Sequence, residues 1–150
     1  MKANSSLAIL DLFARLGSGF DIVSEGELRR VLKVGGDPQK IVFSGVGKSP
    51  VEIRAALLAN ILCFNVESES ELILLNQIAK DMDKVAPVSM RVNPDVDAKT
   101  HPYISTGLKE NKFGVPFDEA EKLYFAGENF TNIRTTGLDF HIGSQLTELA

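Results

Sequence analysis

Apolar, strand-like runs begin at Phe20, Ile41 and Leu62, and an amphipathic stretch at helical spacing fills each interval between them. A step of 21 residues (20, 41, 62) holds one β-strand, one helix and two short loops. Strands joined through helices in this way run parallel, so the repeat predicts an α/β fold with right-handed crossovers. Strands are expected at 20–24, 41–45, 62–67, 88–93 and 138–143, with a stub at 1–3. Helical stripes are Leu7, Leu10, Phe13, Ala14; Leu28, Val31, Leu32; Ile53, Ala56, Leu57; and Leu72, Leu75, Ile78. A further helix is expected over 118–126. Ser24 with Glu27, Ser49 with Pro50 and Glu52, and Ser68 with Glu71 read as N-caps and capping boxes. Gly17 and Gly35 or Gly36 read as helix stops.

Side-chain alternation within the strands chooses between a doubly wound sheet and a barrel. Helices on both faces demand strands that are apolar throughout. Here Phe20, Ile22, Phe64, Val66, Met90, Val92, Leu138, Phe140 and Ile142 fall on one face. Asp21, Asn65, Glu67, Ser89, Arg91, Asn93, Asp139 and His141 fall on the other. Helices outside and a polar mouth inside is the (β/α)8 TIM-type pattern. Six strands at most, including the stub, predict a partial barrel. The 94–116 interval is too long for the repeat and is expected to be a loop over the barrel mouth.

Of 150 residues, 44% are apolar, which is enough for a sizeable core and argues against disorder. The net charge of −4 is interspersed and without a basic run, which argues against nucleic acid and anionic membranes as partners. Apolar runs stay well short of a membrane span, and the amino terminus lacks a signal-peptide pattern. A single cysteine, Cys63, leaves disulfides no part and suits a reducing compartment, so a cytoplasmic protein is expected. The sequons at Asn4 and Asn129 are read as chance.

Gly45-Val46-Gly47-Lys48-Ser49 follows a strand and precedes a helix, but a P-loop would need glycine at position 42, which is Val. An ordinary βα turn is the reading. Lys2 stands at the end of the predicted stub; lysine there can form Schiff bases, though a solvated lysine is the bland alternative. Arg91 on a polar strand face needs an acceptor; Asp21 could supply it as a structural ion pair, or the arginine could serve a ligand. His141, followed by Gly143 and Ser144, suits a ring or a phosphate, with a satisfied core histidine as the alternative.

Taken in order, Lys2-Ala3-Asn4, Gly19-Phe20-Asp21, Phe64-Asn65-Val66-Glu67-Ser68, Arg91-Val92-Asn93-Pro94 and His141-Ile142-Gly143-Ser144 carry a resemblance. So does the 105–114 run, Ser-Thr-Gly-Leu-Lys-Glu-Asn-Lys-Phe-Gly. The chain resembles, over its whole length, the barrel-type pyridoxal-phosphate (PLP) enzymes related to alanine racemase. It is most similar to their diaminopimelate-decarboxylating branch. The resemblance implies a Schiff-base lysine at Lys2, a ring-stacking histidine at His141 and a phosphate-contacting hydroxyl at Ser144. It places Asp21 and Arg91 near the cofactor, with Arg91 as a cation able to lower the lysine pKa, and it implies no metal. Lys2 and His141 would be catalytic. One departure is Glu25, where relatives carry glycine.

By the same resemblance the activity would be decarboxylation of meso-diaminopimelate to L-lysine, in a homodimer when full length. Decarboxylation of another basic amino acid or a carboxylated polyamine, or a non-catalytic PLP-binding barrel, are the alternatives. The 150 residues would be a partial barrel domain, with an N-terminal segment, the last strands and a C-terminal β-domain absent. Alone they would be catalytically dead.

Overall fold

The computed structural model describes residues 1–94, 113–127 and 129–143. The order is α1 (Leu7–Arg15), β1 (Phe20–Ile22), α2 (Glu25–Lys33), a 3-10 turn (Pro38–Lys40), β2 (Ile41–Phe43), α3 (Pro50–Ala59), β3 (Cys63–Val66) and α4 (Glu69–Asp81). Then follow β4 (Ala86–Asn93), β5 (Val115–Pro116), α5 (Phe117–Gly127) and β6 (Ile133–Phe140). All pairings are parallel: β1 with β2, β2 with β3, β3 with β4, and β4 with both β5 and β6. The βα repeat therefore builds the expected parallel sheet, six-stranded among the described residues.

The helix starts follow the sequence signals, with one refinement. Ser24, Ser49 and Ser68 each accept the backbone N–H three residues on. Only Glu52 closes its box on the cap itself; Glu27 and Glu71 accept instead from Val23 and Glu67, one residue earlier. At the end of α2, Gly35 adopts φ +78° and the next amide, Gly36 N–H, donates to Val31 O. That is the Schellman arrangement. A Cβ on Gly36 would lie 2.5 Å from Val31 Cγ1, so this stop admits little else.

Under the helices lies the apolar face: Ile22, Phe43, Phe64, Val66, Val88 and Met90 are fully buried, and the α3 and α4 stripes are buried against them. Phe43 and Phe64 stack at 6.1 Å. The stripe of α1 is only partly used, since Leu10 is buried while Phe13 is exposed. In α2 Leu32 is likewise exposed. On the same face of β6, Ile133 is buried while Leu138 and Phe140 further along are about half exposed.

Three expectations about the strands need correction. Residues 1–3 form a turn, not a strand; Asn4 N–H donates to Met1 O, while the Met1 amino group donates to Asp21 O at 3.3 Å. Within 94–116 a two-residue strand, β5, continues the pairing of β4 at Val92 and Asn93. Residues 95–112 of that loop, including Lys112, lie outside the described residues. Finally, β6 begins at Ile133, five positions before the expected Leu138, and carries a bulge: Val88 faces Thr135, but Ser89 faces Gly137. The extra residue, Thr136, shifts the parity of the strand. Ile133 and Thr135 before it, and Leu138 and Phe140 after it, all end on the helix side. Gly137 and Asp139 are thereby turned to the polar face beside Ser89 and Arg91.

Candidate active site

The polar face is a ladder fixed by strand register. Asn65 lies opposite Ser89, which in turn lies opposite Gly137, and Arg91 lies opposite Asp139. Its lower rungs are tied sideways: Ser44 Oγ donates to Asp21 Oδ1 at 2.7 Å and accepts from Asn65 Nδ2 at 3.1 Å. At the carboxyl ends of the strands, where α/β folds concentrate chemistry, sits a network of charges. Glu67 Oε1 accepts from Arg91 Nη1 at 2.9 Å and from Gly45 N at 3.0 Å, and Oε2 accepts from Gly114 N at 3.2 Å. Arg91 stacks its guanidinium 5.1 Å from the Phe113 ring centre and brings Nε to 3.9 Å from Asp139 Oδ2.

Behind the ladder, Lys48 is buried. Its Nζ donates to Gly45 O and Asn65 O, both at 2.7 Å, and to Glu71 Oε1 at 2.6 Å. All three ammonium donors are thus used. Glu71 in turn accepts the Glu67 N–H at 2.9 Å. This accounts for the false P-loop: its lysine is a strut between the β2–α3 turn and the first turn of α4, with no hydrogen left for a phosphate.

Burial raises the Asp139 carboxyl above its ordinary value of 3.8; the charges of Asp21 and Glu67 push the same way, and Arg91 and His141 oppose them. Burial likewise raises the Cys63 thiol, with Asp139 and Asp21 adding to it. Strand register puts Asp21, Cys63, Asn65, Ser89, Arg91 and Asp139 on one face around the lumen, and Glu67 and His141 follow two residues after Asn65 and Asp139. A second cleft, of about 610 Å³, opens on the outer rim between α4 and α5, lined in part by Ser68, Glu69, Glu119 and Lys122. Glu67 is the one residue of the ladder that reaches it. Among the described residues no group of three His, Cys, Asp or Glu side chains is placed to hold a metal ion.

Of the residues singled out in the sequence, Asp21, Arg91 and His141 share this lumen. Lys2 is exposed, in the turn whose first residue is hydrogen-bonded to β1 beside Asp21. The described residues do not desolvate its amine. Ser144 lies outside the described residues. The ion pair between Arg91 and Asp21 is not formed: Asp21 is two strands away from β4's neighbour β3, and Glu67, on that neighbour, takes the guanidinium. Glu67, Glu71, Lys48 and Asp139 were not read as site residues. The signal for Glu67 is register, because once Asn65 faces Ser89, Glu67 must face Arg91.

Comparison with known proteins agrees with this architecture. The family described as pyridoxal-dependent decarboxylase, pyridoxal binding domain, matches residues 1–150. Diaminopimelate decarboxylase of Haemophilus influenzae is 63% identical over 149 residues, and that of Vibrio cholerae 61% identical over 150. The chain spans 36% of the length of each. The crystal structure of diaminopimelate decarboxylase from Helicobacter pylori complexed with L-lysine superposes with a TM-score of 0.94 at 53% identity, covering 97% of this chain and 37% of that one. The parallel sheet is therefore part of a barrel, and the chain belongs to the pyridoxal-binding domain family of the pyridoxal-dependent decarboxylases.

Proposed function

We propose that the chain is the pyridoxal-binding barrel portion of a longer enzyme that decarboxylates meso-diaminopimelate to L-lysine. The observation that carries this reading is the 0.94 TM-score with the H. pylori diaminopimelate decarboxylase in complex with L-lysine, at 53% identity. In the reaction the bond from one α-carbon to its carboxylate breaks, CO2 departs, and a proton takes the carboxylate's place. The complete enzyme would be a cytoplasmic homodimer whose phosphate-binding and substrate-selecting segments lie beyond these residues.

The lumen suits PLP by its donor chemistry. Gly137 leaves a bare patch beside Ser89, where an ideal Cβ would lie 4.0 Å from Ser89 Oγ, so a flat ring meets backbone there and not a side chain. Asp21, Arg91 and Asp139 provide charge of both signs around that patch. Lys2 would hold the cofactor through its ε-amine, His141 would lie against the ring, and Ser144 would reach the phosphate. When bound, PLP supplies an electron sink for the pair left on the α-carbon. Arg91, pinned by Glu67, presents a fixed cation to the lumen and cannot swing to neutralise Asp21. His141 stands at the mouth after β6, where its role is to orient a ring so that the scissile bond stands clear of the ring plane.

The test is direct. The complete purified protein, incubated with meso-diaminopimelate and PLP, is expected to release CO2 and L-lysine in equal amounts. Turnover of lysine, arginine or ornithine in preference to diaminopimelate, or no turnover of any, would refute the proposal.

A further inference from the structure

Glu67 does more than neutralise a neighbour. Its carboxylate is 2% exposed, yet it receives donors from three separate segments: the Gly45 amide of the β2–α3 turn, the Gly114 amide before β5, and Arg91 of β4. Both amides belong to glycines with positive φ, +102° at Gly45 and +77° at Gly114. At Gly114 a Cβ would come within 3.0 Å of Arg91 O and of Asn93 N, so the amide reaches Glu67 only by a close approach to the strand that carries Arg91. The Glu67 backbone is held from behind, since its N–H donates to Glu71 and Glu71 accepts from Lys48.

Two carboxylates face the same guanidinium. Glu67 approaches to 2.9 Å and Asp139 to 3.9 Å. We propose that Glu67 is the positioning residue of this lumen: by claiming Arg91 it fixes the direction of that cation and keeps it from turning fully onto Asp139, on the neighbouring strand. Resting on the decarboxylase reading above, Glu67 has a task beyond structure, namely aiming the Arg91 cation. The groups facing Asp139 are Arg91 from β4, Glu67 and Cys63 from β3, Asp21 from β1 and His141 beyond the end of its own strand. Removing the Glu67 charge acts on Asp139 twice over, by taking away a like charge and by freeing Arg91 to turn fully towards it. Both effects favour the ionised form.

The experiment uses the complete protein without cofactor. Nitrogen-15 spectra of the arginine side chains are recorded with the Arg91 signal assigned from Arg91→Lys, and the Asp139 carboxyl carbon is titrated. In the wild type, two resolved Nη signals for Arg91 are expected. In Glu67→Gln, with circular dichroism unchanged, they are expected to merge and the Asp139 midpoint to fall by about one pH unit. Resolved signals and an unmoved midpoint in a folded Glu67→Gln protein would overturn the inference. Should that variant fail to fold, the wild type still decides: a single averaged Nη signal would mean that Glu67 does not hold Arg91. In the loaded enzyme Glu67→Gln should lower kcat more than it raises KM. If the wild type makes no lysine from diaminopimelate, the functional reading fails, while the Arg91 signals still judge Glu67 on their own.

Discussion

Replacing Lys48 by methionine tests whether the buried charge network holds the strand ends together. Methionine keeps an unbranched chain of similar reach and fills the space, so what is lost is the ammonium. Its departure leaves Glu71 Oε1, Gly45 O and Asn65 O without their donors in a region where the Lys48 side chain is 1% and the Glu71 side chain 10% exposed. Removing one partner of a buried pair costs about 3–5 kcal/mol, because the other charge stays behind. The two carbonyls overlap with that figure and do not simply add to it. Since about 1.4 kcal/mol is a factor of ten, amides of the β2–α3 turn and the start of α3 should exchange with deuterium roughly a hundred- to a few thousandfold faster in the Lys48→Met protein. Adding Glu71→Gln neutralises the stranded charge, and about 1–3 kcal/mol should return. Exchange within tenfold of wild type in the single variant would refute the reasoning, showing that Lys48 does not brace this turn.

Gly36→Ala should lower stability by about 1–3 kcal/mol, read as a fall in melting temperature, because its Cβ would meet Val31 Cγ1 at 2.5 Å. Glu52 accepts from the Ser49 N–H and hydroxyl and from Glu25 N–H, and the Ser49 backbone bond is the main cause holding its pKa below the ordinary 4.5. A depressed carboxylate stabilises above its unfolded pKa, so Glu52→Gln should cost about 1 kcal/mol near neutrality, with the wild-type advantage fading as pH falls from 4.5. Asp139 has the opposite sign. Its raised pKa means that the folded state binds the extra proton, so its contribution to stability falls as pH rises from 3.8 through the raised value. Asp139→Asn should therefore gain stability relative to wild type as pH rises through that window, and melting curves showing the reverse trend would contradict the burial of this carboxylate.

Much of this was legible in the chain because the rules involved are local. The serine caps and the glycine stops each depend on residues within one turn of one another and are found where the sequence puts them, while the repeat places β1 and β2 at Phe20 and Ile41 and misses the start of β3, Cys63, by one residue. The misses have non-local causes. The stub at residues 1–3 has strand-like residues, but it is tied to the sheet by the Met1 amino group on Asp21 O and by Met1 packing on the core, not by a strand ladder. β6 begins earlier than its alternation suggests because the bulge at Thr136 resets the parity and hides Ile133 from a period-two reading. Pro87, unable to donate to a ladder, likewise disguised the start of β4 at Ala86. In the site, Asp21, Arg91 and His141 were visible as polar residues on the correct face. The partner of Arg91 was not, because choosing Glu67 over Asp21 requires the β3–β4 register. Lys48 and Glu71 become partners only when two successive βα units are packed side by side.

The central claim is that this lumen is a pyridoxal site with Lys2 as its covalent anchor. Borohydride reduction of the complete protein with PLP, followed by peptide mapping, tests it most directly. A pyridoxyl label is expected on Lys2, with Lys48 unlabelled because its nitrogen is buried and fully engaged. A label absent from Lys2 and spread over other lysines would contradict it.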